Sequence, residues 1–400
     1  KKIELILEKE SIRQRNSAVF IASENYASES VRNYSNSIFT NKYAEGYPGK
    51  RYYAGCENAD EVENLAISRG KKLFSSKHIN VQPHSGSQAN MAAYVSLLKP
   101  GDKILSLSLD HGGHLSHGHN VNFSGKIYEI HNYYLNRESE LLDYDQINDI
   151  AEKVKPKLII CGYSAYSRII DFNKFKSISQ KVDSLLMADI AHIAGLVVSG
   201  KHPSPVGIAD IITSTTHKTL RGPRGGLAII REDLSSKYDR GVFPAIQGGP
   251  LMNTILAKAA AFEEALSDNF IEYSQQIIDN AKVLANLFLD RGLRLVSGGT
   301  DNHLMLIDTR SIGINGDEAE NKLNEVGIVV NKNAIPFDPM PPKITSGIRI
   351  GTPAITSRQI SNDDLLKIGD VIVDCLSTSS KNTSVFSKEV QKIMNKLPLP

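Results

Sequence analysis

An α/β fold is predicted: a mostly parallel seven-stranded sheet flanked by helices, followed by a smaller C-terminal α+β domain. Three observations predict it. From about Ala59 onward, short apolar runs alternate with helical segments, which is the pattern of parallel strands joined by crossover helices. The chain has 400 residues, 41% hydrophobic and 22% charged, which at roughly 150 residues per domain supports a large core and excludes disorder. The character changes again around Arg291 to Gly299, where a Gly-Gly turn precedes a further strand.

Taken in order, Ile3, Ile6, Leu7 and Ile12 stand at near-helical spacing, predicting an amphipathic N-terminal helix that must pack on something. From Thr40 to Cys56, four tyrosines mixed with glycine and proline predict an irregular loop. Strands are predicted at His78–Gln82, Lys103–Leu107, Lys126–Ile130, Lys157–Cys161, Ser184–Ala188, Ile208–Thr213 and Gly226–Ile230. Leu251–Asp290 reads as helical. The second part then carries a strand at His303–Asp308, a helix at Asp317–Val326 closed by Gly327, and a strand at Gly347–Ile350. Thr356 and Gln359 have capping-box spacing ahead of a last helix at Leu365–Leu376, and Ser377–Ser384 reads as a polar loop. The expected division is an N-terminal helical arm over 1–45, a large domain over 46–280 and a small domain over 281–400.

Composition also limits partners. Lys plus Arg number 46 against 44 Asp plus Glu, a net charge of +2 that offers no global attraction to nucleic acid or an anionic membrane. Cys56, Cys161 and Cys375 share no CxxC spacing and leave one over after any pairing, so a reducing compartment, the cytoplasm, is expected. No run approaches the roughly 18 apolar residues of a membrane span. The chain opens Lys1-Lys2-Ile3-Glu4 without methionine or a signal pattern, so a few leading residues or a removed targeting segment are expected before it.

Three motifs fall just past predicted strands, where an open parallel sheet places its ligands. Pro83-His84-Ser85-Gly86-Ser87-Gln88 precedes a helix-like run, and reads either as a simple N-cap or as an anion site built from free amides and hydroxyls. Asp189, in Ala188-Asp189-Ile190-Ala191-His192, either caps a turn or pairs with a buried cation such as a protonated pyridine nitrogen. Lys218 ends a Thr-rich strand ahead of Arg221-Gly222-Pro223-Arg224, and is either a surface lysine or an amine poised for a Schiff base. The 29 residues from Asp189 to Lys218 match one strand-helix-strand repeat, so both reach one sheet edge. Phosphate cradle, carboxylate and amine together are what pyridoxal phosphate requires. His111, His114, His117 and His119 could suggest a metal, but no cysteine or carboxylate cluster completes a shell, and none is expected.

Pro83–Asn90, Thr40–Tyr53, Asp110–Gly118, Thr215–Gly226, Val296–His303 and Thr345–Ala354 together resemble serine hydroxymethyltransferase, collinearly from about Ile21 to Thr356. The resemblance implies a fold-type I, aspartate-aminotransferase-like architecture and reversible transfer of the serine hydroxymethyl carbon to tetrahydrofolate, giving glycine. The alternative is another enzyme of the same fold, such as a threonine aldolase or an aminotransferase. It implies that Lys218 holds the cofactor, that Asp189 meets the ring nitrogen, and that Ser85, Gly86 and Ser87 hold the phosphate with help from Gly249 and Tyr43. His114 is expected over the ring, and Ser164 and His192 near its hydroxyl, with Thr215 and His217 also at the cofactor. Arg349, Ser23, His192, Glu45 and Tyr53 are expected on the substrate, with Glu45 carrying the proton. Glu45, Tyr52, Tyr53, Leu109, Gly113, Leu115 and Asn333 are expected at the folate. His217 joins Lys218, Glu45, Asp189 and Tyr53 as a catalytic expectation. A homodimer with shared sites is implied, with no membrane and no principal nucleic-acid partner; His119 departs from the pattern and receives no role.

Overall fold

The computed structural model describes residues 1–377 and 383–400. Seven strands form the main sheet: β1 (Ile79–Asn80), β2 (Lys103–Leu107), β3 (Glu129–Tyr133), β4 (Leu158–Cys161), β5 (Leu185–Asp189), β6 (Ile211–Thr215) and β7 (Gly226–Ile230). Their spatial order is β1-β7-β6-β5-β4-β2-β3. All neighbouring pairs are parallel except those of β7, which runs antiparallel to both β1 and β6. The expected α/β sheet is therefore present, mixed rather than purely parallel.

The apolar runs are continuous because helices cover both faces, and the twofold side-chain period sorts them. Leu105, Ile159, Leu186 and Ile212 enter one core layer. Their neighbours Ile104, Leu158, Met187 and Ile211 enter the layer on the opposite face. A second, wholly antiparallel sheet contains β8 (Arg294–Leu295), β9 (Leu304–Asp308), β10 (Asn331–Asn333) and β11 (Gly347–Gly351), in the order β8-β9-β11-β10. Met305, Ile307, Ile348 and Ile350 give it a separate core. The helix Asp268–Asp290 serves both, with Phe270 and Ile277 in the first core and Leu284 and Phe288 in the second.

Several local expectations need correction. Lys126–Ile130 is not one strand: Asn122 caps a short helix, Phe123–Ile127, by accepting from Ser124 N, and β3 begins only at Glu129. The N-terminal helix forms over Lys2–Asn16, yet buries no residue in this chain, with Ile3 82% and Leu7 70% exposed. The Thr40–Cys56 loop contains a small hairpin, Gly46–Tyr47 paired with Lys50–Arg51. Thr356 caps nothing, since it lies inside the helix Pro353–Ser357; Ser361 Oγ instead accepts from Asp364 N at the start of Asn362–Ser377. A true capping box stands at Asn315 and Glu318, starting the helix Gly316–Glu325. Of the predicted polar loop Ser377–Ser384, residues 378–382 lie outside those described, and Thr383 opens an unpredicted helix, Thr383–Met394.

No described helix is long and apolar enough to cross a membrane.

Candidate active site

The carboxyl ends of β4, β5 and β6 converge on a cavity of about 500 Å³. Asp189 is the last residue of β5, and β5 pairs with β6 so that Asp189 faces Thr213. Lys218 lies three residues past the end of β6, so both side chains reach the same edge. Gly162, just after β4, sits at φ +104°, and a Cβ there would fall 1.9 Å from Asp189 O. Only glycine allows that backbone to close beside the acid.

Asp189 is held by three donors. His117 Nε2 stands 2.8 Å and Asn90 Nδ2 2.9 Å from Oδ2, while Ala191 N donates to Oδ1 at 3.0 Å. Burial alone would raise this carboxyl, but the hydrogen bond and charge of His117 and the hydrogen bond from Asn90 outweigh it, leaving Asp189 ionised well below the usual carboxylate range. Neither His117 nor Asn90 was assigned a role from sequence. Asn90 stands one turn along the helix from Gly86, and His117 is the member of the histidine cluster that bonds this carboxylate. Among the described residues no group of three or more potential ligands could hold a metal.

Lys218 is buried, and burial pushes its ammonium down to about 8, with Asp189 opposing and Arg349 and Arg224 assisting. A depressed lysine costs stability while it remains protonated in the fold. From the ordinary 10.5 to about 8 the cost is roughly 3 kcal/mol, fully present below pH 8, relieved between pH 8 and 10.5, and absent above. Lys218→Met apoprotein is therefore expected to unfold at a higher temperature than wild type at pH 7, with the gap closing toward pH 10.5 in calorimetric scans. A gap that does not change with pH contradicts this assignment.

Ser85 caps the helix Gly86–Leu97, its Oγ accepting from Gln88 N at 3.2 Å. Gly86 packs so closely that a Cβ would meet Thr215 Cγ2 at 2.8 Å, leaving a bare cradle of backbone amides at the helix start. His114 Nδ1 lies 2.7 Å from Ser116 Oγ and accepts from Ser116 N at 3.1 Å; burial, then the neighbouring His117, lowers it to about 4, so the imidazole is neutral. His192 Nδ1 lies 3.2 Å from His303 Nε2, and burial holds both rings neutral. Burial similarly pushes His217 down to about 3, and Gly225 N donates to its Nδ1 at 3.4 Å.

Arg349 projects from β11 of the small sheet into the same cavity. Its Nε donates to Asn331 Oδ1 at 3.1 Å and its Nη1 to Ser164 O at 2.6 Å. Burial lowers it to about 10, and no carboxylate pairs with it among the described residues. A buried guanidinium without an acid is a receptor for one. Ser23 completes this wall.

Leu109, Gly113, Leu115 and Asn333 line a second cavity of about 840 Å³, which shares His114, His117 and Ser164 with the first. His119 also lines it. Tyr43, Glu45, Tyr52, Tyr53 and Gly249 line neither cavity. The Tyr53 hydroxyl donates to Glu45 Oε2 at 3.1 Å, the rings of Tyr43 and Tyr53 meet edge-on at 5.6 Å, and a Cβ on Gly249 would touch the Tyr43 ring at 3.2 Å. They form a separate, solvent-facing group, with Tyr52 71% exposed.

A buried lysine, an ionised carboxylate and a glycine-lined helix start, gathered at one edge of such a sheet, define a pyridoxal-phosphate enzyme of fold type I. The family model for serine hydroxymethyltransferase matches residues 1–372. The chain is 53% identical over 380 residues to serine hydroxymethyltransferase 1 of Pseudomonas fluorescens, covering 95% of this chain and 92% of that one. It is 52% identical over 397 residues to the serine hydroxymethyltransferase of a Nostoc species, covering 98% of this chain and 93% of the relative. The chain belongs to the serine hydroxymethyltransferase family and is an enzyme of that family.

Proposed function

We propose that the cavity at Lys218 carries out the serine-to-glycine reaction with tetrahydrofolate as the acceptor of the one-carbon unit. One observation carries the co-substrate: the 840 Å³ cavity opens beside the first and shares walls with it, so a second, flat substrate can reach the reacting carbon.

The residues fit pyridoxal phosphate: the cradle at Gly86 has no side chain in it, Asp189 is ionised, and the Lys218 amine is shifted toward neutrality. Bound there, the cofactor supplies an aldehyde and a ring able to take up the electron pair released at the amino acid's α carbon. Lys218 Nζ is the amine that holds the cofactor. Asp189 keeps a proton on the ring nitrogen by staying ionised beside it. Neutral His114 presents an uncharged face to the ring, and Ser85, Gly86 and Ser87 take the phosphate, beside Thr215 and His217. Ser164 and His192, which line the same cavity, would meet the ring hydroxyl.

Arg349 and Ser23 hold the substrate carboxylate, which orients the serine side chain and selects the bond that breaks. Arg349→Lys is expected to raise the KM for serine by on the order of 100-fold, because one ammonium cannot reproduce the two-pronged grip. An unchanged KM removes Arg349 from the substrate site.

Tyr43, Glu45, Tyr52, Tyr53 and Gly249 are assigned to the neighbouring site of a homodimer, where the partner subunit's Glu45 moves the proton at the serine hydroxyl. Their exposure and mutual packing support this reading. Leu109, Gly113, Leu115 and Asn333 are assigned to the pterin. The chain divides into an arm (1–45), a cofactor domain (46–280) and a small domain (281–400), and works in the cytoplasm. The test is glycine formation from serine by the purified protein with and without tetrahydrofolate: strong stimulation is expected, and indifference to folate overturns the proposal.

A further inference from the structure

One strongly buried cation has no part in this scheme. Lys258, on the helix Met252–Ala265, is 1% exposed, and its Nζ donates to Val81 O at 2.6 Å, Gly226 O at 2.7 Å and Pro83 O at 3.1 Å. Three carbonyl acceptors match the three protons of an ammonium and leave no place for a lone pair. Burial pushes the group down to about 7, with Glu63 opposing. That carboxylate is engaged by Arg51 at 2.6 Å, and no acid pairs with Lys258 among the described residues.

Its location gives this ammonium a use. Val81 and Pro83 lead directly into Ser85, and Gly226 N donates to Pro83 O at 3.0 Å. A Cβ on Gly226 would lie 2.3 Å from Ser85 O and 3.0 Å from Gly86 N. Lys258 therefore stands one peptide layer behind the start of the helix Gly86–Leu97. In front of that layer Ser85, Gly86, Ser87 and Thr215 carry no formal charge, and Arg224, which lines the same cavity, is exposed and screened by solvent.

We infer that Lys258 is a positioning residue for the cofactor's phosphate: it fixes the strand end that delivers Ser85 and sets a buried positive charge behind the amides of Gly86 and Ser87. The inference rests on reading that loop as the phosphate cradle. No bond is made or broken at Lys258.

The test compares two ligands on the apoprotein, pyridoxal phosphate and pyridoxal, which lacks the phosphate. Lys258→Met is expected to weaken pyridoxal phosphate about tenfold or more, as loss of a buried charge near a dianion requires, while pyridoxal binding stays within about twofold. The phosphorus NMR signal of the bound cofactor is expected to move as well. Equal weakening of both ligands marks a merely structural lysine and overturns the inference; unchanged affinity for both does the same. If Lys258→Met does not fold, Gly225→Ala is read by the same pair of titrations, because its new Cβ would fall 2.6 Å from Lys258 Cε and displace the amine. Failure of the wild-type protein to take up pyridoxal phosphate would refute the cradle itself, a result distinct from either outcome for Lys258.

Discussion

Lys218→Ala is expected to lower serine turnover by on the order of 10⁴-fold or more, since among the described residues lining the cavity no other lysine is present to hold the cofactor. Borohydride reduction and peptide mapping of the wild type should place the pyridoxyl group on Lys218 alone. The same variant tests the shared site. Mixed with Glu45→Gln chains, it should form heterodimers in which one site keeps both an intact Lys218 and an intact partner Glu45. Random pairing then restores about a quarter of wild-type activity from two nearly inactive proteins. Full activity of Lys218→Ala removes the lysine from the reaction. Absence of any recovery on mixing, with exchange of chains verified, removes the cross-subunit assignment of Glu45.

Asp189→Asn is expected to cost on the order of 10³-fold in kcat, while the protein still folds and takes up cofactor. The substitution preserves shape and removes the charge. It also reverses a donor pattern: with Oδ1 still accepting from Ala191 N, the new amide nitrogen would face the donors on Asn90 and His117. A shifted absorption band should accompany the loss. Turnover within tenfold of wild type would mean that the ring nitrogen does not depend on this acid.

The sheet edge was legible in sequence because adjacent parallel strands repeat at a regular interval. Asp189 ends one strand and Lys218 follows the end of its neighbour by three residues, so both reach the one edge that the interval implied. Arg349 was legible only through the family resemblance, since nothing local marks an arginine in a small-sheet strand as unpaired. His117 and Asn90 were not legible as ligands of Asp189, because the contacts span 72 and 99 residues. The Lys126–Ile130 error has a local cause: its apolar spacing suits either element, and the Asn122 cap decided for helix. The N-terminal helix shows the opposite limit. Periodicity revealed an apolar face, but what covers that face is not encoded within the helix.

The bond from Arg349 to Ser164 O joins the small sheet to the segment that follows β4, one supplying the guanidinium and the other the carbonyl that aims it. Discrimination among amino acids is thus a property of the seam, owned by neither lobe. Damage that loosens the junction without unfolding either half should leave a yellow protein that has become blind to serine.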